Sequence, residues 1–300
     1  MKVSIVIPNW NGYSKLQQHL PEVVSLAKKL NFEEIIVVDD GSTDESVRLL
    51  KSEFPEVKLI EKQANSGFSS TVNLGVKSVK SEIVFLLNND AHPKDDFLDP
   101  ALKHFENPKI FSVGCNVGGI WAKGYFKDGF FWHSQGEAKT EAEKSKAHNT
   151  LWVSGGSGFF RKSIWDNLEG LDTLFDPFYW EDVDLGYRAW KRGYINIWEP
   201  QSQVIHYQEP GVISESFSKE KVSETAERNQ LLFIWKNITS KKLGVEHKKG
   251  LLRMVLEHPK YLKIISLAIP KLPSLLKKRQ IERQSAKLTD EEVLEIFEYA

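Results

Sequence analysis

A chain of 300 residues, 41% hydrophobic and 27% charged, is long enough to bury a substantial core, either as one large α/β domain with an appendage or as two modest domains. The formal net charge of −1 argues against a globally basic nucleic-acid binder, so no nucleic-acid partner is expected. A single cysteine, Cys115, excludes an intramolecular disulfide and a cysteine-based zinc site and fits a reducing compartment; it is expected as a small buried hydrophobe.

The chain runs directly into "KVSIVIP" with no h-region and cleavage site, so no signal peptide is expected and the expected location is cytoplasmic. No run of about 18 apolar residues predicts a membrane span. Strand "VSIVIP" is followed by a helix over about 14–30, strand "EIIVVDD", a helix from Thr43 to Phe54, strand "VKLIEK", a helix from Ser69 to Val79 and strand "EIVFLLNND". This alternation predicts an α/β fold with a Rossmann-like, mostly parallel sheet flanked by helices. Ligands of such sheets bind beyond the carboxyl ends of the strands, which here carry "PNWNG", "DDGSTD", "NSGFS" and "NNDAHP".

Past Asp96 the pattern loosens into a helix, a Gly- and aromatic-rich stretch "CNVGGIWAKGYFKDGFFWH" and the polar "SQGEAKTEAEKSKAHNT", which reads as a loop or an exposed helix. "LWVSGGSGFFRKSIWDNL" predicts a strand, a Gly-rich turn and a helix. The domain boundaries expected are 1–217, with halves at 1–100 and 101–217, and a helical C-terminal extension over 218–300. Between Lys241 and Lys287 stand thirteen Lys or Arg against three Glu, about +10, in helices broken by Pro259, Pro270 and Pro273. Such a stretch suits an anionic membrane surface or a basic cap packed on the main domain.

Several polar groups exceed what local structure needs. Thr43 or Asp44 can cap a helix, but a cap does not use Asp39 and Asp40 together, and a carboxylate on this rim can bind a base or a ribose hydroxyl. There is neither a G-x-G-x-x-G nor a P-loop. Asn88, Asn89 and Asp90 fit an Asx-turn before Pro93, or one carboxylate of a divalent-cation site completed by phosphate oxygens. His206, after a short strand, is either structural or a further cation ligand. In "FDPFYWEDVDLGYRAWKRGY" Glu181, Asp182 and Asp184 suit the positive end of a helix dipole, yet Phe178, Tyr179 and Trp180 beside them suggest a half-buried mouth.

In order and spacing, "VSIVIPNWNG", "IIVVDDGSTD", "NSGFSSTVNLGVKSVKSEIVFLLNNDAHP", "GGSGFFRKSIWDNLEGLDTLFDPFYWEDVDLGYRAWKRGY" and "ERNQLLFIWKN" resemble the family 2 glycosyltransferases of GT-A fold, particularly rhamnosyltransferase-like bacterial members, over roughly residues 1–240. The resemblance implies an inverting transfer of a sugar from a UDP- or dTDP-sugar to a saccharide or lipid-linked saccharide in cell-surface polysaccharide assembly. It makes residues 1–217 the GT-A catalytic domain, with a nucleotide-binding half followed by an acceptor half. Asp39 and Asp40 match the pair that contacts base and ribose, with Pro8 and Asn9 lining the base. Asn65, Gly67, Asn89, Gly155 and Gly156 join this donor-binding set, the last two letting backbone approach the donor sugar. Asp90 matches the metal-binding Asp of the D-x-D motif, with Asn88 standing where the family has the first Asp, and His206 matches a position near the metal or diphosphate. The implied cofactor is Mn²⁺ or Mg²⁺. Asp182 matches the general base, Glu181 and Trp180 are expected to contact the acceptor, and Asp184 is expected to cap the helix or pair with Arg188. The competing classes are a sugar-phosphate nucleotidyltransferase, which needs a Gly-rich basic loop where "PNWNGYSKL" has one Gly and one Lys, and a non-catalytic sugar-binding protein, which needs no Asp182.

Overall fold

The computed structural model describes residues 1–137, 140–206 and 216–298. Strands β1 (Val3–Asn9), β2 (Ile35–Asp39), β3 (Lys58–Glu61) and β4 (Ile83–Leu87) lie parallel in the order β3-β2-β1-β4. They alternate with α1 (Tyr13–Lys29), α2 (Ser46–Glu53) and α3 (Phe68–Ser78). Every residue of β2 and β4 is buried, as expected of strands covered by helices on both faces. Register aligns Asn9 with Asp39, so both reach the same rim.

The sheet continues through elements that bring the second half of the chain onto that rim. β5 (Ala91–Pro93) follows β4, and α4 (Leu98–His104) leads into β6 (Ile110–Asn116). β10 (Ser157–Arg161) inserts antiparallel between β4 and β6, and the long β11 (Ile195–His206) runs parallel to β6 and antiparallel to β5. Pairing of His206 with Ala91 sets His206 beside Asp90.

Two expectations change here. The Gly- and aromatic-rich stretch is a hairpin, β7 (Ile120–Lys127) and β8 (Phe130–Glu137), turning on Asp128 and Gly129 with φ of 56° and 86°. Positive φ at both positions fits the primed turns that match strand twist, so "DG" between aromatic runs was the signal. In "LWVSGGSGFF" the strand follows the glycines instead of preceding them. The polar stretch, of which residues 138–139 lie outside the description, contains the short exposed helix α5 (Glu141–Lys144) before β9 (His148–Asn149). Cys115 is buried, as expected.

Helices α6 (Lys162–Asn167) and α7 (Glu181–Lys191) precede five more: α8 (Lys219–Asn237), α9 (Lys241–Glu257), α10 (Tyr261–Ala268), α11 (Leu272–Ser285) and α12 (Asp290–Glu298). Leu231, Leu232, Phe233 and Ile234 of α8 are each no more than 2% exposed and join a core with Phe131, Phe175 and Tyr187. Burying four consecutive residues places the end of α8 inside the molecule, not on it.

Ion pairs fasten this packing. Asp184 is fully buried and accepts from Arg188 Nε at 2.7 Å, Lys236 Nζ at 2.8 Å and Asn237 Nδ2 at 2.7 Å. Lys236 also reaches Asp172 at 2.6 Å, and Lys278 reaches it at 3.0 Å. Burial alone would raise the Asp172 pKa, but these two ammonium groups outweigh it and hold the carboxyl well below its usual range. Removing one partner strands a buried charge, so Lys236→Met is expected to lower the unfolding free energy by about 3–5 kcal/mol, measured by urea denaturation.

Candidate functional site

The rim frames a cavity of about 510 Å³ that brings most of the expected residues together. Pro8, Asn9, Asp40, Asn65 and Gly67 form one wall, Asn89, Asp90 and His206 another, and Glu181, Asp182 and Gly156 a third. Asp39 is not on the wall: it is 1% exposed, and its oxygens accept from Asn9 Nδ2 at 2.9 Å, Ser42 N–H at 2.9 Å and Ser42 Oγ at 2.6 Å. It shapes the turn after β2 and orients Asn9, which in turn accepts from Asn89 Nδ2 at 2.8 Å. Asp40 lies at the cavity, where it pairs with Lys62 at 2.6 Å and accepts from the N–H groups of Ser66 and Gly67 at 3.0 Å. Gly67 sits at φ 95°, and a Cβ there would stand 3.0 Å from Asp176 Oδ1.

Gly155 and Gly156 make room for side chains. A Cβ on Gly156 would stand 2.5 Å from Asn88 Nδ2, and one on Gly155 would stand 3.2 Å from Asp182 Oδ1. The N–H of Gly155 donates to Asp182 Oδ2 at 3.2 Å. Trp180 lies off the cavity wall and packs edge-on to His133 and Phe131.

The loop before α7 explains how Asp182 is aimed. Tyr179 and Trp180 adopt φ of 69° and 78°, a left-handed conformation costly for bulky residues, and no side chain caps the helix. Buried Asn229 holds this turn, donating from Nδ2 to the carbonyls of Phe175, Phe178 and Tyr179 at 2.6–3.0 Å. Arg228 donates to the Asp176 carbonyl at 2.7 Å. The pair Arg228 and Asn229 was visible in "ERNQLLFIWKN", but its role depends on contacts some fifty residues away in sequence.

The carboxyls of the site are underpartnered. Asp90 Oδ1, Asp176 Oδ1, Glu181 Oε2 and Asp182 Oδ1 are buried with no hydrogen-bond partner, a concentration that buried polar atoms avoid unless something else is to be bound. Burial pushes Asp182 up to about 7 and Asp176 up to about 6, and burial with the neighbouring Asp182 charge pushes Glu181 up to about 8. Asp184, two residues from Asp182, is instead absorbed by its pair with Arg188 and by Lys236.

For a cation, the residues present supply a small donor set. The orphaned Asp90 Oδ1 faces His206 Nε2 at 3.3 Å, and Asn88 Nδ2 is 3.4 Å from the same nitrogen. A carboxylate oxygen and an imidazole fit a hard or borderline divalent ion that keeps its other positions for non-protein ligands. No cluster of three His, Cys, Asp or Glu is found among the described residues. The other Asp90 oxygen pairs with the buried Lys15 at 3.2 Å, a wall residue and cation that sequence reasoning did not single out.

A mostly parallel sheet with a nucleotide-type rim, an inserted antiparallel strand and this carboxylate cleft defines a GT-A transferase fold. The chain belongs to the glycosyl transferase family 2, whose model matches residues 4–168, more than half of its length. It is 29% identical over 117 residues to the dolichol-phosphate mannosyltransferase of Pyrococcus furiosus, covering 38% of this chain and 33% of that one. Over 211 residues it is 21% identical to the N-acetylglucosaminyl-diphospho-decaprenol L-rhamnosyltransferase of Mycobacterium tuberculosis, covering 58% of this chain and 66% of that one. The chain thus spans a third to just under two thirds of these relatives' lengths. Among solved structures, GalNAc-T7 with UDP, GalNAc and Mn²⁺ superposes with a TM-score of 0.66 at 16% identity over 81% of this chain and 49% of that one. The mannosyltransferase of Pyrobaculum calidifontis with GDP-Man and Mn²⁺ gives 0.56 at 15% identity over 95% and 85%.

A carboxyl whose folded-state pKa lies above its unfolded value binds its proton more tightly when folded. Stability from Asp182 is therefore fully present below about 4 and lost as pH rises through about 7. Asp182→Asn is expected to melt above the parent protein at pH 8, with the difference shrinking towards pH 4, as checked by thermal denaturation across that range.

Proposed function

We propose that the chain is an inverting glycosyltransferase that moves a sugar from a UDP- or dTDP-sugar to a saccharide or lipid-linked acceptor in cell-surface polysaccharide assembly, with Asp182 as general base. The observation that carries this reading is the unpartnered, buried Asp182 Oδ1 on the same cavity as the unpartnered Asp90 Oδ1. The acceptor oxygen attacks the anomeric carbon as its proton passes to Asp182. The bond from that carbon to the diphosphate breaks, and the nucleoside diphosphate leaves with the electron pair. The N–H of Gly155 fixes one Asp182 oxygen and leaves the other open to the acceptor. Glu181, protonated near neutrality because of burial, donates to an acceptor hydroxyl without repelling Asp182.

On the donor side, Asp40, Asn65 and Gly67 take the nucleoside, with Pro8 and Asn9 against the base and Asp39 acting through Asn9. Asp90 and His206 hold Mn²⁺ or Mg²⁺, which would stabilise charge on a departing diphosphate. The relatives and neighbours support this by their names: GalNAc-T7 was solved with UDP and Mn²⁺, and the mycobacterial relative is a rhamnosyltransferase.

The test is nucleoside diphosphate release from UDP-, dTDP- and GDP-sugars with either metal. Asp182→Asn is expected to bind the donor normally and lose turnover by roughly 10²–10⁴-fold. Because the base must be ionised, turnover of the parent protein should rise with pH through about 7. Absence of donor binding with either metal would overturn the reading.

The C-terminal helices also favour a place on the cytoplasmic face of an anionic membrane. No helix among the described residues is long and apolar enough to cross a membrane. Val245, Leu252 and Leu256, spaced on one side of α9, are 52–72% exposed, and Leu262, Ile269 and Leu276 add to them. Lys248, Lys249, Arg253, Lys260 and Lys263 lie exposed among these residues. Apolar side chains flanked by cations suit the headgroup boundary, each cation adding about 1 kcal/mol near the surface. Sedimentation with phosphatidylglycerol vesicles, reduced by salt and by the double change Leu252→Asp and Leu256→Asp, is the expected outcome; equal recovery on neutral vesicles would count against it.

A further inference from the structure

A second cavity, of about 470 Å³, opens beside the first and has no role in the reaction described above. Its size falls within the roughly 300–1,000 Å³ of small-ligand pockets. Trp121 and His133 of the β7–β8 hairpin, Trp152, and Trp198 of β11 give it an aromatic lining. Ser134 and Gln135 add exposed neutral polar groups. Among the described residues no Lys, Arg, Asp or Glu contributes to the lining, in contrast to the carboxylate cleft next door.

Two features show that the cavity is built to bind. Trp121 and Trp198 are 5% and 4% exposed, and their indole N–H groups have no acceptor. An indole N–H is a donor that normally finds a partner when buried. The absence of a side chain at Gly136 lets the Trp121 indole pack against the facing strand of the hairpin, since a Cβ there would stand 2.4 Å from Trp121 Nε1. The cavity also adjoins the proposed reaction site. Ser154 lines both cavities, and the next residue, Gly155, donates to Asp182.

We infer that this second cavity is a subsite for an uncharged saccharide unit of the acceptor, lying next to the unit whose hydroxyl is glycosylated. The inference rests on the transferase reading above. The half-buried Trp152 ring offers a surface to the C–H face of a pyranose, while the unpaired indole N–H groups of Trp121 and Trp198 and the neutral Ser134 and Gln135 side chains suit its hydroxyls. A phosphate or carboxylate on that unit would find no Lys or Arg among the described residues of the wall and would have to be desolvated without compensation from them. His133 does not supply a cation, because burial lowers its pKa and leaves it neutral at pH 7. The acceptor is therefore at least a disaccharide in this region, and any lipid or phosphate lies further along.

The experiment measures binding by intact protein of neutral di- to tetrasaccharides and of matched oligosaccharides carrying uronic acid or phosphate, using tryptophan fluorescence and saturation-transfer NMR. Binding of UDP and dTDP is measured in parallel on every protein. Expected is binding of neutral oligosaccharides, weakened about tenfold by Gln135→Ala and by Trp198→Phe, with nucleotide affinity unchanged in both variants. Trp198→Phe keeps the aromatic ring and removes the donor, and Gln135 is exposed, so preserved nucleotide affinity separates loss of the subsite from loss of the fold. Binding of neutral sugars that neither change weakens would overturn the subsite, as would binding of only the acidic set. Nucleotide binding without any saccharide binding at millimolar concentration would overturn the subsite alone. Failure of the parent protein to bind either UDP or dTDP would instead overturn the donor reading on which it rests.

Discussion

The carboxylate of Asp184 organises the packing of α7 against the C-terminal helices. It is fully buried and meets Arg188, Lys236 and Asn237, so that α7 is fixed against α8 within its first turn. Arg188 uses its remaining nitrogens on the carbonyls of Leu168 and Gly170, and Lys236 carries the connection on to Asp172. Further along α7, Tyr187 and Lys191 both reach Asp290 at 2.7 Å, and Arg192 reaches Glu282 at 2.9 Å. A buried ion network contributes little stability over an apolar core of the same shape. What it fixes here is position: Asp182 stands two residues from Asp184, on a helix whose start lacks a side-chain cap.

The same helix turn shows that partners, not residue type, decide what a carboxyl does. Asp184 is paired with two cations, whereas Glu181 and Asp182 are pushed towards their neutral forms by burial. A group titrating near neutrality can accept a proton in one step and release it in the next, while a salt-bridged group cannot. On the opposite wall the balance changes again, since Lys15 pairs with Asp90 and Lys62 with Asp40. Each of these carboxyls thus has a cation partner that Glu181 and Asp182 lack.

Much of this frame was legible before any coordinates. Continuous apolar runs such as "EIIVV" and "EIVFLL" identify strands covered on both faces, and the polar residues at their ends locate the rim. The pairing of Asp184 with Arg188 follows from helical spacing alone. The hairpin escaped because aromatic and glycine content obscured the Asp128–Gly129 turn. Asp39 is read from sequence as a ligand contact because nothing in the order of residues shows that Ser42 and Asn9 consume both its oxygens. Asn229 and Lys236 could not be placed by any local rule, since their partners lie roughly fifty residues earlier. For the same reason the C-terminal helices read as an appendage although "LLFI" of α8 is core.

The segment from Thr150 to Ser157 joins these observations, because it is the wall between a charged cavity and an uncharged one. One end is tied to the sheet through Thr150 N–H to Asn196 at 3.0 Å, and the other through Asn88 N–H to Gly156 at 2.9 Å and the pairing of Ser157 with Leu87. Its centre meets Asp182 through the Gly155 N–H. A wall fastened to rigid strands on both sides can hold Asp182 at a fixed distance from both cavities. Sequence variation in the hairpin can then reshape the neutral cavity without moving the Asp182 carboxylate. Separation of the two tasks across one short, glycine-containing segment is a consequence of inserting β10 between two strands of the parallel sheet.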